Sequence, residues 1–318
     1  MLYDLFYSLK DFFSPFNIFQ YITFRGAGAS ITALIISFLI GPKIIRTLSS
    51  LQVGEMIKDM GPKSHHIKKG TPTMGGIIIL LSIILPTILW ARLDNVYIQI
   101  ILLSTIWMGI IGFIDDYLKI IKKMPKGLIA RYKMIGLLLL GILVCLTLNY
   151  TLSIKTTITS IPFIANGQID LGIFYYILIL LVISGTSNAV NLTDGLDGLA
   201  AGLVAISVLV FGAIAYISGR IDFSNYLNIL YIPGAGELFI FCMATVGACI
   251  GFLWYNAYPA SIFMGDTGSL SLGAALGTLS ILLKKEILLI IIGGVFVAET
   301  ISVMIQVLYF KYTKKKTG

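Results

Sequence analysis

The feature that most constrains this chain is a series of long apolar runs separated by short basic loops. A helix that spans a bilayer needs about 20 mostly apolar residues. Nine runs of this kind occur, centred near residues 30, 82, 105, 141, 180, 208, 246, 273 and 297. They are too long for strands and lack the alternation of a membrane barrel. The sequence therefore predicts an all-α bundle of nine transmembrane helices, with residues 1–318 forming a single membrane domain.

The composition supports this class and excludes others. Only 12% of the residues are charged, and 57% are hydrophobic, whereas a soluble domain carries about 25% charged residues. The net charge of +8 does not indicate nucleic-acid binding, because the basic residues lie in loops, where they set membrane orientation. Cys145, Cys242 and Cys249 lie in apolar segments without metal-ligand spacing, so we expect them to act as small hydrophobic residues.

The distribution of lysine and arginine predicts the orientation. Sixteen of the 23 basic residues lie in three segments on one side of an alternating topology: after the first, third and ninth spans. The positive-inside rule makes that side cytoplasmic and places the N-terminus outside a cell membrane. Lys284 and Lys285, in a short outer loop, count weakly against this orientation. The segment 1–20 is expected to be an interfacial aromatic segment, since it lacks the features of a signal peptide.

Twelve of the 15 acidic residues fall into two groups. Five aspartates lie at the predicted cytoplasmic ends of spans, in three separate loops: Asp115, Asp116, Asp194, Asp197 and Asp266. Seven acids lie in outer segments, where we expect solvated charges: Asp4, Asp11, Asp94, Asp170, Asp222, Glu237 and Glu286. Glu299 lies inside an apolar run and is expected to face the bundle interior or a cavity.

Helix capping explains one aspartate per loop, but not the pairs in GFIDDYLK and NLTDGLDGLA. Asp194 and Asp197, three residues apart, would face the same way at a helix start. Two carboxylates about 4 Å apart repel by about 4 kcal/mol at an effective dielectric constant of about 20. Lysines can compensate, but a divalent cation does so more compactly, and oxygen ligands favour Mg²⁺. The pattern predicts a metal and phosphate site at the membrane–cytosol boundary.

Three further segments extend this prediction. GPKSHHIKKGTPTMGG (61–76) is either a phosphate-binding turn or an ordinary basic loop. NAYPASIFMGDTGSLSLG (256–273) places Asn256 and Phe263 where they can read a base, although Phe263 is equally well a core aromatic residue. In the ninth span, Glu299 and Gln306 lie two helical turns apart on one face.

In order and spacing, these motifs resemble the bacterial phospho-N-acetylmuramoyl-pentapeptide transferases. The matching segments are HHIKKGTPTMGG, GFIDDYLK, NAVNLTDGLDGLAAG, FLWYNAYPASIFMGDTGSLSLG and FVAETISVMIQV. The resemblance runs from about residue 42 to about residue 312. It implies transfer of phospho-N-acetylmuramoyl-pentapeptide from UDP-N-acetylmuramoyl-pentapeptide to undecaprenyl phosphate, giving lipid I and UMP with Mg²⁺. It also implies a multi-pass cell-membrane protein with a cytoplasmic active site, typically a homodimer.

The resemblance also assigns residues. Asp266 matches the Mg²⁺ ligand, and Asp115 and Asp116 match an aspartate pair that handles the lipid phosphate. Lys133 matches a basic residue near the phosphates, and we add Lys119 as a substrate-binding residue. The positions that match the nucleotide pocket are Lys68, Thr73, Asn191, Asp194, Gly195, Leu196, Asp197, Asn256, Phe263 and Gln306.

One departure from the family is large. The family continues after the ninth span into a triple-histidine stretch and a tenth helix, whereas this sequence stops at Gly318. We therefore expect the chain to be incomplete at its C-terminus. His65 and His66 belong to the loop before the second span and do not replace the missing stretch.

Two alternatives remain open. A transferase of the same superfamily that uses UDP-N-acetylglucosamine is the nearest one, and exchanging the donor in a membrane assay separates the two. An ion-coupled transporter also buries carboxylates, but places them near the bilayer midplane, whereas these aspartates lie at span ends on one side.

Overall fold

A computed structural model describes residues 1–50, 71–124, 127–151, 157–164 and 167–313. Within these ranges the chain is helical apart from one short hairpin and the connecting turns. The helices are α1 (Leu2–Tyr7), α2 (Ile22–Ser50), α3 (Gly76–Trp90), α4 (Val96–Ile120), α5 (Ala130–Thr151), α6 (Phe174–Thr193), α7 (Leu199–Ser218), α8 (Ile221–Tyr226), α9 (Leu238–Asn256), α10 (Gly265–Leu282), α11 (Glu286–Ile292) and α12 (Gly294–Thr313). The strands β1 (Ile158–Ser160) and β2 (Gln168–Asp170) pair antiparallel, and 3-10 turns cover Ser14–Gln20 and Ala235–Glu237.

The predicted helical membrane class is confirmed. Seven helices of the described residues are long and apolar enough to cross a bilayer. Helices also occur at the two other predicted positions, but α3 has only 15 residues with Pro86 inside it, and α10 has 18. The exact count of nine spans and the outside location of the N-terminus stay predictions.

Helix α10 forms the centre of the bundle, because its residues from Thr267 to Leu282 are all buried. Glycine lets neighbouring helices approach it closely. A Cβ atom at Gly273 would lie 2.6 Å from the Cα atom of Ser187 in α6. A helix that is rich in small residues and only weakly apolar suits a position surrounded by protein better than one that faces lipid.

The two ends of the bundle differ in chemistry. At one end, which we call the acidic end, lie Asp115, Asp116 and Asp266. At the other, the hairpin end, β1 contacts the corner between α10 and α11, where the Ser160 N–H donates to the Lys284 carbonyl oxygen at 3.1 Å. Helix α10 separates the ends by its 18 residues, about 27 Å at 1.5 Å per residue.

At the hairpin end, the prediction that Glu237 is a solvated acid is wrong. Its carboxylate pairs with Arg25 through two bonds of 2.5 and 2.8 Å and accepts the Arg92 N–H at 3.0 Å. Both side chains are buried, with 2% and 8% exposed. The reason lies in the tertiary structure, where the start of α2 packs against the start of α9. The two charges therefore neutralise each other at a position from which water is excluded.

The same prediction is wrong for Glu286, which is buried under the hairpin. Its carboxylate accepts hydrogen bonds from the Thr159 hydroxyl at 2.6 Å and from the Tyr175 hydroxyl. The Lys284 ammonium donates to the Tyr175 hydroxyl at 3.0 Å. Burial lowers the pKa of Lys284 to about 8, although Glu286 acts in the opposite direction.

Two further expectations have opposite outcomes. Glu299 was expected to face the bundle interior or a cavity, but α12 is the least packed of the candidate spans and leaves this side chain exposed. The interpretation of the cysteines as hydrophobic residues agrees with the structure, since all three are free and Cys242 and Cys249 are buried.

Candidate active site

Three carboxylates converge at the acidic end of the bundle. Asp115 and Asp116 lie near the end of α4, and Asp266 lies in the first turn of α10. One oxygen from each of the three lies within 4.8 Å of the others, and both residues of the α4 pair are buried. Residues about 150 positions apart in the chain are thus joined because α4 and α10 pack along their length.

Two lysines bridge two of these carboxylates. The Lys119 ammonium lies 2.5 Å from Asp115 Oδ2 and 3.2 Å from Asp266 Oδ2. The Lys133 ammonium lies 2.9 and 2.5 Å from the same two oxygens. Lys119 follows Asp115 by one helical turn, and Lys133 lies in the first turn of α5. Two positive charges therefore offset the repulsion between Asp115 and Asp266.

Asp115 also holds the residues that lie just before α5. Its Oδ1 atom accepts the Leu128 N–H at 2.7 Å. Gly127, just before it, has a φ of +53°, and a Cβ atom there would lie 2.7 Å from the same oxygen. Glycine is suited to this conformation, so residues 127 and 128 can pack against Asp115 and lead into α5, which carries Lys133.

Asp116 has a different environment, because its hydrogen-bond partners in the described part of the chain all belong to the start of α10. Its Oδ1 accepts the Asp266 N–H at 3.1 Å, and its Oδ2 accepts the Thr267 N–H at 2.9 Å and the Thr267 hydroxyl at 2.6 Å. These backbone donors are among those that an α-helix leaves without partners at its N-terminus. Asp116 therefore caps α10 from a neighbouring helix.

Asn191, near the end of α6, holds the third carboxylate from another side. Its amide donates to Asp266 Oδ1 at 2.9 Å and to the Ser269 hydroxyl at 2.7 Å. Asp266 thus presents Oδ1 to an amide and Oδ2 to two ammonium groups. The sequence-predicted residues Asn191, Lys119 and Lys133 do lie together around Asp266.

Asp194 and Asp197 do not complete a five-aspartate cluster. Among the described residues, the group with metal-binding geometry contains only the other three aspartates. Asp194 ends α6, and Asp197 lies in the turn before α7, where its Oδ2 accepts the Ala260 N–H at 3.2 Å. The expectation that both lie on a helix start is therefore wrong. Gly198, with a φ of +76°, turns the chain between these helices.

The structure gives Asn256 a visible role in connecting loops. It is buried, its Oδ1 accepts the Gly198 N–H at 3.0 Å, and its Nδ2 donates to the Ile262 carbonyl oxygen at 2.8 Å. Both ends of the amide are thus engaged within the chain. Reading of a base by Asn256 stays a prediction.

The segment before α3 pairs with the segment before α10. The Phe263 N–H donates to the Pro72 carbonyl oxygen, and the Gly75 N–H donates to the Phe263 carbonyl oxygen, both at 2.8 Å. Phe263 is half-buried. The pairing places Thr73 beside the cluster, since a Cβ atom at Gly265 would lie 2.9 Å from its hydroxyl oxygen.

The remaining predicted pocket residues are less constrained. Gly195 and Leu196 are exposed in the turn between α6 and α7. Gln306 is exposed on α12, and within the described residues its amide bonds only to Ser302, at 3.5 Å. Lys68 lies outside the described residues, as do His65 and His66. A nucleotide-binding role for these positions stays a prediction.

Sequence reasoning missed three groups that shape the site: the Thr267 side chain, the Ser269 hydroxyl and the Leu128 N–H. Thr267 and Ser269 follow Asp266 in GDTGSLS, so their hydroxyl groups were visible in that motif as possible hydrogen-bond partners of the aspartates. A backbone donor such as the Leu128 N–H has no sequence signal, because any residue except proline supplies one.

An apolar groove leads away from the acidic end. It has a volume of about 320 Å³ and lies between α6, α10, α11 and α12. Val190 lines it, one residue before Asn191, and Gly185 and Phe296 line it further along. The helical run breaks at Gly293, between α11 and α12, which also borders the groove.

The residues of the cluster fit a hard divalent cation. Three carboxylates offer only oxygen ligands, and these are within 4.8 Å of one another. Oxygen-only sites suit Mg²⁺, which is commonly held by one or two carboxylates together with substrate phosphates and water. The two bridging ammonium groups show that this arrangement of acids draws positive charge.

The sequence is similar to those of known transferases. The sequence profile of glycosyl transferase family 4 matches residues 98–284, and phospho-N-acetylmuramoyl-pentapeptide-transferase signature 1 matches residues 68–80. A phospho-N-acetylmuramoyl-pentapeptide-transferase of Thermodesulfovibrio yellowstonii is 53% identical over 317 residues, covering 99% of this chain and 88% of that protein. Proteins of the same name from Citrifermentans bemidjiense and Chlorobium phaeobacteroides are 52% and 47% identical, over 99% and 100% of this chain and 88% and 87% of their own lengths.

Proposed function

The chain belongs to the phospho-N-acetylmuramoyl-pentapeptide transferase family, and from this premise we propose the full reaction that it performs. Phospho-N-acetylmuramoyl-pentapeptide passes from UDP-N-acetylmuramoyl-pentapeptide to undecaprenyl phosphate, giving lipid I and UMP. The observation that carries the proposal is the meeting of Asp115 and Asp266 with Lys119 and Lys133 at one end of an apolar bundle. A water-soluble donor and a membrane-bound acceptor can both reach such a position.

The lysines bind and orient the phosphates of the donor. Each ammonium already lies between two carboxylates, so it can turn towards a phosphate oxygen without leaving its carboxylate partner. Phosphoryl transfer depends mainly on positioning and charge neutralisation. When bound at Asp266, Mg²⁺ would supply further positive charge to the diphosphate.

We propose that Asp115, rather than Asp116, removes the proton from the lipid phosphate or orients that phosphate. Asp115 lies between both ammonium groups, whereas the bonds of Asp116 are directed to the start of α10. In the proposed path, an oxygen of the lipid phosphate attacks the sugar-linked phosphorus directly, the phosphoanhydride bond breaks, and UMP leaves. Trapping of a phosphosugar-linked aspartate when the lipid is withheld would show a covalent two-step path instead.

The apolar groove suits the hydrocarbon chain of the acceptor. Its lining is almost entirely apolar, and α6 connects it to Asn191 at the cluster. A lipid in the groove would thus hold its phosphate near Asp115. The basic loops favour the cytoplasmic face of the inner membrane for the site. The homodimer implied by the resemblance remains a prediction, which the mass of the purified protein in detergent tests.

The test is UMP release by the purified full chain in lipid that contains undecaprenyl phosphate. We expect release that needs UDP-N-acetylmuramoyl-pentapeptide, the lipid phosphate and Mg²⁺ together. Release with UDP-N-acetylglucosamine in place of the muramoyl donor would support the alternative transferase. An unchanged rate after removal of divalent cations would refute the metal-dependent site.

A matched pair of variants tests the role of Asp266. We expect Asp266→Asn to lower the rate by at least about 10²–10³-fold, which is typical for the loss of one transition-state electrostatic contact. Asp222→Asn is the control, because this acid is exposed at the hairpin end and its loss should leave the rate unchanged. Near-normal turnover of Asp266→Asn at saturating Mg²⁺ would contradict the assignment.

A further inference from the structure

We propose that Asp116 and Thr267 form a positioning pair that fixes the direction of the Asp266 carboxylate. In this role Asp116 acts through α10, and it serves neither as a metal ligand nor as the base for the lipid phosphate. The inference rests on the proposed function, because it assumes that Asp266 is the metal ligand.

The first argument is the use of the Asp116 oxygens. A carboxylate has about four acceptor sites, and three of them are taken by groups of Asp266 and Thr267. Asp116 and Thr267 are 3% and 0% exposed, respectively. Bonds to a charged acceptor in such a site are stronger than neutral ones. Releasing an oxygen for a metal would leave buried donors of α10 without a partner, which is costly.

The second argument is the close packing of backbone around this pair. A Cβ atom at Gly112, one turn before Asp116, would overlap the carbonyl oxygen of Asp266 and lie 2.7 Å from the Cα atom of Thr267. Gly112 thus lets the backbone of α4 touch the backbone of α10. The direct contact of the two helices therefore fixes the position from which the Asp116 carboxylate caps α10.

The third argument concerns Gly265, the residue before Asp266. It has a φ of +74°, and a Cβ atom there would lie 2.7 Å from Asp116 Oδ2 and 2.9 Å from Thr73 Oγ1. The left-handed conformation turns the chain directly into the first turn of α10. With the N–H groups of residues 266 and 267 held by Asp116, the Asp266 side chain is directed towards Lys119, Lys133 and Asn191.

Replacement of Thr267 distinguishes this role from direct metal binding, because the two roles predict opposite effects. Thr267→Val removes the hydroxyl that occupies Asp116 Oδ2 but leaves both aspartates in place. If Asp116 were a metal ligand, the acceptor site that the hydroxyl leaves free on Oδ2 would keep or strengthen metal binding. If Asp116 is a cap, the start of α10 loosens and metal binding at Asp266 weakens.

The experiment is a Mn²⁺ titration of the purified full chain, with free Mn²⁺ measured by electron paramagnetic resonance. We expect about tenfold weaker binding for Thr267→Val and binding within about twofold of the unaltered chain for Thr267→Ser, which keeps the hydroxyl; tenfold corresponds to about 1.4 kcal/mol. Thr278→Val is the matched control, because Thr278 is buried in the same helix and its hydroxyl has no hydrogen-bond partner among the described residues. It should bind Mn²⁺ normally.

A second variant protects the test against misfolding of Thr267→Val. Gly265→Ala places a methyl group against Asp116 Oδ2 and should also weaken Mn²⁺ binding, whereas Gly202→Ala, which meets no atom within 4 Å, should not. Unchanged or tighter binding by both Thr267→Val and Gly265→Ala overturns the cap. Absence of Mn²⁺ binding by the unaltered chain would overturn the metal site, and this inference with it.

Discussion

Loss of the Glu237 carboxylate should destabilise the whole bundle, although Glu237 lies far from the acidic end. Glu237→Gln keeps the shape of the side chain and removes its charge. Arg25, which is 2% exposed, then keeps its charge in a buried position without an ionised partner. Breaking a buried ion pair by removing one charge costs about 3–5 kcal/mol.

The structure sets the expected size of the effect. Glu237 accepts two bonds from the Arg25 guanidinium, at 2.5 and 2.8 Å, and the Arg92 N–H at 3.0 Å. At about 2 °C per kcal/mol for a chain of this size, a loss of 3–5 kcal/mol lowers the unfolding midpoint by roughly 6–10 °C. Replacing both partners by apolar residues, as in Arg25→Met with Glu237→Leu, should recover most of this loss, because a buried pair is often no better than an apolar contact.

The cysteines provide the assay. Cys242 and Cys249 are buried and free, so a fluorogenic thiol dye reports unfolding of the purified protein in detergent. Asp222→Asn is the control, since its side chain is 79% exposed and lies 3.9 Å from Arg220. An exposed pair is worth about 0–1 kcal/mol. If Glu237→Gln shifts the midpoint no more than this control does, the reasoning from burial is wrong.

Three other predictions concern the lysines of the acidic end, the apolar groove and Lys284. Lys133→Met should slow UMP release more than Lys119→Met, because Lys133 lies closer to Asp266 (2.5 against 3.2 Å) and its side chain is less exposed (22% against 37%); equal rates of the two variants would contradict this order. Gly185→Phe should fill the apolar groove and raise the KM for the lipid acceptor several-fold with little change for the nucleotide donor, whereas Gly202→Phe, outside the groove, should leave the acceptor KM unchanged. Burial lowers the pKa of Lys284 to about 8 from 10.5, so above about pH 8 the unfolded chain binds more protons at this residue than the folded chain, and stability rises with pH. Between about pH 7.5 and 9.5 the unaltered protein should gain about 2 kcal/mol relative to Lys284→Met, measured as the difference in unfolding midpoints by light scattering.

The sequence determined the class of the protein and several residues of its candidate site. Long apolar runs predict membrane helices because the length and hydrophobicity of a span are local properties. The aspartates, lysines and glycines of the candidate site are likewise visible as motifs, and Asp115, Asp116, Asp266 and Lys133 lie together in the structure.

The exposure of individual charges was not predictable in this way. Glu237 and Glu286 have the sequence surroundings of loop acids, yet both are buried against partners. Glu299 lies within an apolar run, yet it is exposed. Burial depends on which helices pack together, and Arg25 lies 212 positions from Glu237, a separation that no local pattern records.

The tertiary structure alone decided which groups each aspartate contacts. In sequence, Asp115 and Asp116 are adjacent and equivalent acids, and Asp194 and Asp197 form a second, similar pair. On a helix, adjacent residues point about 100° apart, so α4 directs Asp115 to two ammonium groups and Asp116 to the start of α10. Which of several acids meet, and which groups they meet, follows from how α4, α5, α6 and α10 pack, because packing alone brings distant segments within bonding distance.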